Sequence, residues 1–203
     1  MALLKTKRPD WRSLRIHESS PGARGASAVI ARQCPDYLGT HYFPDRQRGE
    51  VRSGVRNENL EAQTFQDATF DVVLSLDVME HVNRPDVVCR EIHRTLKDGG
   101  HYIFTTPTYK DKPKTERRAE VGADGSVEHY FEPEYHGNPI DESGSLVTFH
   151  FGYDLPELIH DWCGMDVEVF RWYKPSMGII GEFTEAYCCT KPLHSGRAPF
   201  SDN

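Results

Sequence analysis

The most constraining feature of this 203-residue chain is the run FDVVLSL at residues 70–76. It is almost continuously apolar and rich in β-branched side chains, the pattern of a strand buried on both faces in a parallel sheet. Val87, Val88, Ile92 and Leu96 follow at near-helical spacing, which predicts a helix over 86–96 with Pro85 suited to its first turn. Residues 97–100 (KDGG) read as a helix stop, and 101–106 as the next strand. A strand, a helix and a second strand in this order require a crossover connection, so helices must cover the sheet.

The flanks repeat the alternation. Residues 13–18 read as a first strand, 26–32 as a helix after the Ser20–Pro21–Gly22 turn, 37–40 as a weak strand and 61–65 as a helical turn. Further on, 155–163 reads as a helix, and 167–172 and 182–190 as closing strands. The expected class is α/β, with a Rossmann-like, mostly parallel sheet of seven strands or fewer and helices on both faces. One domain is expected over 1–192, with a tail at 193–203. Between about 108 and 150 the periodicity disappears, which marks an irregular insertion after the fifth strand, a lid or binding loop. The chain starts close to its first strand without helices to cover that end, so a homodimer is a further expectation.

Composition narrows the partners. Hydrophobic residues are 37%, charged residues 27% and the net charge is -7, which argues against nucleic acid or an anionic membrane surface. No apolar run is long enough for a membrane span or a signal peptide. The five cysteines are odd in number and lack CxxC spacing, so reduced thiols and a cytoplasmic setting are expected. Ligands in such sheets bind beyond the carboxyl ends of the strands, which directs attention to the loops there.

Three segments carry a resemblance: TFDVVLSLDVMEHV (69–82), EIHRTLKDGG (91–100) and IFTTP (103–107). Together they resemble the type 11 methyltransferases of the class I, S-adenosylmethionine-dependent superfamily. The resemblance implies S-adenosylmethionine as cofactor and methyl transfer to O or N of a small polar acceptor, sugar-like in one reading. It implies a donor loop at 18–25, with Glu18 on the acidic position, Gly22 on a central glycine and Ser20 where the first glycine would be. His41 falls where the family has a ribose-binding acid, with Asp45 or Asp36 as alternatives. Asn59 and Leu60 fall on the adenine segment, and Asp77 faces the donor's methionine part or the acceptor. A nicotinamide dehydrogenase is disfavoured, because no clear GxGxxG motif with a following acid is present.

For the chemistry, a histidine near its neutral pKa suits proton removal from an acceptor. His81 follows the fourth strand of the expected order, either as base or as a brace with Glu80. In the insertion, His136 and Asp141 are the leading polar candidates, with His129 and His150 behind them. Tyr130, Phe131, Tyr135 and Phe149 are candidate walls. No metal-ligand spacing is evident. The basic run 112–118 is either a solvated face or an attractor for an anionic acceptor. The alternative to an enzyme is a degenerate methyltransferase fold that binds a ligand or partner without turnover.

Overall fold

The computed structural model describes residues 1–122, 124–138 and 141–193, with the side chains of 138, 141–143 and 177 left out. Its central sheet is built from β1 (Ile16–Ser19), β2 (Tyr37–His41), β3 (Val51–Arg52), β4 (Val55–Asn57), β5 (Phe70–Leu76), β6 (Leu96–Thr105), β7 (Asp166–Arg171) and β8 (Glu185–Thr190). Their order across the sheet is β7-β8-β6-β5-β1-β2-β4-β3. The contacts β1–β2, β1–β5, β5–β6 and β2–β4 are parallel, while β3, β7 and β8 join antiparallel. In register, Ile16 lies between Tyr37 and Val72, and Ser19 between Thr40 and Ser75. The sheet has eight strands, one more than expected, because the edge pair β3–β4 folds back as a short hairpin.

From Val72 onward the side chains of β5 alternate between two cores, as do those of β6 and β8. On one face Val73, Tyr102, Phe104, Tyr187 and Cys189 pack under α3 (Pro85–Thr95) and α4 (Leu155–Cys163). Tyr102, Phe104 and Tyr187 stack in series with ring centroids 4.7 and 4.8 Å apart. On the other face Ile16, Val72, Leu74, Ile103 and Cys188 pack under α2 (Gly25–Gln33) and the N-terminal helix α1 (Ala2–Lys7), with Trp11 between. The expectation that no helix precedes the first strand is therefore corrected: Leu3 and Leu4 are buried against this face.

Two local expectations also change. Residues 97–100 do not end a helix; β6 begins at Leu96, directly after α3, and Gly99 takes φ +71 inside it. The β5–β6 register shifts there, so the glycines serve an irregular strand start. Residues 61–65 form turns rather than a helical turn. By contrast α4 has the expected bounds and ends on Gly164 in the left-handed conformation. All five cysteines are free. Among the described residues no helix is long and apolar enough to cross a membrane. The tail from 194 onward lies outside the described residues.

The insertion is not irregular throughout. It contains antiparallel pairs Ala119–Val121 with Val127–His129, Tyr135–Asn138 with Asp141–Leu146, and Glu116–Arg117 with Phe149–His150. Thr148 fastens it to the sheet: its N–H donates to Glu80 O at 2.8 Å, and its hydroxyl to Val82 O at 2.6 Å. Asn83 adds a reciprocal pair with the Val121 backbone at 2.9 and 3.0 Å.

Candidate active site

From β1 the chain winds outward through β2 and β4, then returns to β5 on the other side of β1. The crevice above the carboxyl ends of β1 and β5 is thus the switch point of the sheet, where ligands of open α/β folds bind. Both strands end there on a residue forced into the left-handed region, Ser20 at φ +53 and Asp77 at φ +54. That conformation costs a non-glycine residue roughly 1–2 kcal/mol. Ser20 takes a backbone shape that glycine adopts freely, and its N–H donates to Thr40 O at 2.7 Å. Asp77 is held from the next strand: its N–H donates to Thr105 O at 3.0 Å, and its Oδ1 accepts the Thr105 hydroxyl at 2.8 Å.

The rest of the 18–25 loop is shaped by Glu18, which is buried. Its two oxygens accept the Ser27 hydroxyl at 2.6 Å and the Tyr37 hydroxyl at 2.8 Å. Burial raises its pKa, against the lowering effect of those two bonds. Glu18 therefore ties β1 to α2 and β2 and sets the loop's shape. Pro21 lies on β2, where a Cβ on Gly39 would come within 2.9 Å of its Cγ. A Cβ on Gly22 would meet no atom within 4 Å, so the loop backbone is open there.

At the end of β2, His41 is half-buried, and burial lowers its pKa, which favours a neutral ring. Its carbonyl accepts the Glu58 N–H at 3.0 Å, bringing the 58–60 segment alongside. Asn59 Oδ1 accepts the Glu61 N–H at 2.8 Å. Leu60 sits in the core with Phe70 and Met79.

Beyond Asp77 the chain makes a single 3₁₀ turn, Met79–His81. It delivers Glu80 and His81 against His136 from the insertion. Glu80 is buried; its Oε2 accepts the Thr106 hydroxyl at 3.0 Å, while Oε1 is buried without a hydrogen-bond partner. Burial is the main cause that pushes the Glu80 pKa up to about 7. His81 Nε2 and His136 Nδ1 each lie 3.7 Å from that oxygen. The two rings meet edge to face, centroids 5.2 Å apart. Burial lowers the His81 pKa. Behind them Glu134 reaches His136 Nε2 at 3.3 Å, His150 Nε2 at 2.7 Å and Arg118 Nε at 3.4 Å. Burial works to raise the Glu134 pKa, but His150, His136 and Arg118 hold it below its ordinary value.

Residues 21–104 match the family model of a methyltransferase domain, from within the 18–25 loop to the penultimate residue of β6. A 55-residue segment is 44% identical to the ubiquinone biosynthesis O-methyltransferase of Pseudomonas syringae pv. tomato, covering 27% of this chain and 23% of that protein. The matched segments thus span less than a quarter of the curated relatives' length. An S-adenosylmethionine-dependent methyltransferase from Mesorhizobium loti superposes with TM-score 0.60 at 16% identity, covering 94% of this chain and 96% of that one. A Burkholderia thailandensis 1,6-didemethyltoxoflavin-N1-methyltransferase, bound to 1,6-didemethyltoxoflavin and S-adenosylhomocysteine, superposes with TM-score 0.57 at 13% identity, covering 94% and 76%. These likenesses establish the class I methyltransferase fold.

Glu18, Ser20, Gly22, His41, Asn59 and Asp77 lie at or just beyond the strand ends, and His81 joins His136 beside them. Asp141 pairs with Asn138 in its hairpin, and its side chain lies outside the described ones. His129 is exposed, and His150 is buried against Glu134 and stacked on Tyr109 at 3.9 Å. Of the expected walls, Phe149 belongs to the core, whereas Tyr130, Phe131 and Tyr135 are exposed. The basic run 112–118 is largely spent inside the insertion, with Lys112 on Glu116, Arg117 on the Asn83 carbonyl and Arg118 on Glu134. Glu134 and Thr106 escaped the sequence reading. Thr106 lies in the IFTTP segment but carries no sign there of its bond to Glu80, and Glu134 lies in no motif; only the fold brings Thr106 to Glu80 and Glu134 to His136.

Proposed function

We propose that this protein is an S-adenosylmethionine-dependent methyltransferase acting on O or N of a small polar acceptor. The supporting observation is the paired left-handed ends of β1 and β5 at the switch point, Asp77 inside the segment that matches a methyltransferase family model and Ser20 directly before it. S-adenosylmethionine supplies a methyl group on a sulfonium already activated for displacement, so the chain's task is orientation. The loop through Ser20 and Gly22 holds the methionine portion, and the open space at Gly22 fits a ligand lying close to the backbone. The neutral His41 ring bonds a ribose hydroxyl, and Asn59 offers an amide to adenine. Leu60, in the core, packs behind that segment. Asp77 orients whatever lies across the crevice.

At the acceptor end, His81 and His136 beside Glu80 take the proton that the acceptor loses. Their imidazoles face the buried carboxylate oxygen, so a proton arriving there is stabilised by charge. The carboxylates and imidazoles of Glu80, His81, Glu134 and His136 favour a hydroxyl-bearing, sugar-like acceptor over an apolar one. Calorimetric titration with S-adenosylhomocysteine tests the donor half. We expect micromolar affinity in the wild type and none in Gly22→Arg, whose long side chain fills the open space without burying anything. Absence of heat at millimolar ligand in the wild type would leave only the non-catalytic fold.

A further inference from the structure

The Glu80–His81–His136 cluster has an unusual internal arrangement. Each imidazole has the nitrogen remote from Glu80 engaged. His81 Nδ1 is 2.8 Å from the Leu146 carbonyl, so that nitrogen carries the proton. His136 Nε2 is 3.3 Å from the Glu134 carboxylate and donates to it in the same way. With those tautomers fixed, His81 Nε2 and His136 Nδ1 present lone pairs toward Glu80 Oε1. That oxygen is buried and has no hydrogen-bond partner. Three electron-rich atoms thus converge, mutually within 4.8 Å.

We infer that Glu80, His81 and His136 form a site for a divalent transition-metal cation. Two imidazole nitrogens and one carboxylate oxygen suit zinc, manganese, iron, cobalt or nickel, and leave coordination positions open for an oxygen-donor ligand. Nitrogen ligands sit about 2.0–2.1 Å from such ions. Ligand atoms at adjacent corners are then about 3 Å apart, so the 3.7 Å separations close with shifts of several tenths of an ångström. The outer partners are also in place. Metal-bound histidines characteristically donate their other N–H to a carbonyl or carboxylate, the roles filled by Leu146 and Glu134. The Thr106 hydroxyl fixes the carboxylate plane at its other oxygen. Glu134 is itself anchored by His150 and Arg118, so His136 is held against a braced acceptor.

The position gives the cation a task. Glu80 and His81 follow Asp77 at the end of β5, and His136 meets them from the insertion, on the proposed acceptor side of the crevice. An acceptor with neighbouring hydroxyls would complete the coordination, and the cation would lower the pKa of the bound hydroxyl so that its proton leaves to solvent water; with the ion bound, the two imidazoles serve as ligands and not as the base. That role rests on the transfer reading above; cation binding itself does not.

The test is a Co2+ titration of metal-stripped protein, read from the visible absorption bands of the bound ion. One equivalent is expected in the wild type. Glu80→Gln and His136→Ala should each weaken binding at least tenfold, and the exposed control His129→Ala should not. Circular dichroism confirms folding, and His136→Ala carries the test if Glu80→Gln misfolds. No saturable binding overturns the inference. So does unchanged affinity in a folded Glu80→Gln or His136→Ala, which would reveal an ion held elsewhere. Because S-adenosylhomocysteine binding is measured separately, its failure beside intact Co2+ binding would sink the transfer reading and leave the metal site standing.

Discussion

His17 should make this protein lose stability in mild acid by an amount that can be worked out. The side chain is fully buried on β1. It stacks on Phe70 at 5.1 Å, meets the edge of Phe65 at 5.0 Å and shares a 2.9 Å hydrogen bond with the Thr40 hydroxyl. Its Nδ1 has no partner, and burial, reinforced by the Arg56 charge, pulls its pKa down to about 3. In the unfolded chain the same ring titrates near 6.5. Below about pH 6.5 the unfolded state therefore binds a proton that the folded state refuses. Stability from this group is complete above the unfolded value and falls with pH until the folded value is reached. The limiting slope is about 1.4 kcal/mol per pH unit, which integrates to about 1.3 kcal/mol between pH 7 and about pH 5.5. Urea unfolding of wild type and His17→Gln at both pH values isolates the effect, since every group common to the two proteins, Glu80 included, cancels in the difference. Glutamine keeps a partner for Thr40 and does not titrate. The stability gap between the proteins should shift in the variant's favour by that amount on acidification. A gap independent of pH would show that His17 stays protonated or becomes solvated in the folded protein, and the reasoning from burial would fail.

Two further perturbations probe the loops at the strand ends. Ser20→Val forces a β-branched residue into a left-handed position and should cost roughly 2 kcal/mol in thermal or urea unfolding, whereas Ser20→Gly should fall within about 1 kcal/mol of wild type. Equal losses in both would mean that the serine hydroxyl, rather than the backbone, matters there. Asn57 is buried; its amide reaches the carbonyls of Phe43, Arg46 and Gln47, and its Oδ1 accepts the Phe43 N–H at 2.8 Å. Asn57→Ala should therefore lower stability by roughly 2–4 kcal/mol, read from the urea midpoint, and a loss under about 0.5 kcal/mol would show the loop holding itself.

The fold was legible where burial on two faces writes itself into composition. The run at 70–76 had to be a central parallel strand, and it is, flanked by β1 and β6. The helix 155–163 carried both its apolar stripe and its terminal glycine. What could not be read was structure whose cause is remote. Lys97–Gly100 has the chemistry of a helix stop, yet β8 needs a partner at Lys191, whose N–H donates to Gly100 O, and the glycines serve the irregular start of β6. The insertion lacked periodicity because its strands run two to six residues and pair with one another. The site was half legible for the same reason. Ser20, Asp77 and His81 follow strands and could be placed, but Glu134 joins His136, His150 and Arg118 through a hairpin that no local spacing encodes.

The distribution of strain argues that the crevice is more than a by-product of the fold. Among the described residues, four that are not glycine take positive φ: Ser20, Ser53, Ala68 and Asp77. Ser53 precedes Gly54 in the tight turn between β3 and β4, where left-handed conformations are what the hairpin demands. Ala68 lies in the turn ahead of β5. Ser20 and Asp77 differ, since each ends a parallel strand whose exit glycine would satisfy without cost. They stand on adjacent strands at the switch point, and three residues after Asp77 comes the one carboxylate oxygen of the cluster buried without a partner. Backbone strain on one side and an unsatisfied anion on the other are both unfavourable alone, and neither is needed to form the sheet. A ligand lying close to the backbone above Ser20 and a positive charge beside Glu80 would each turn one of those costs into binding energy.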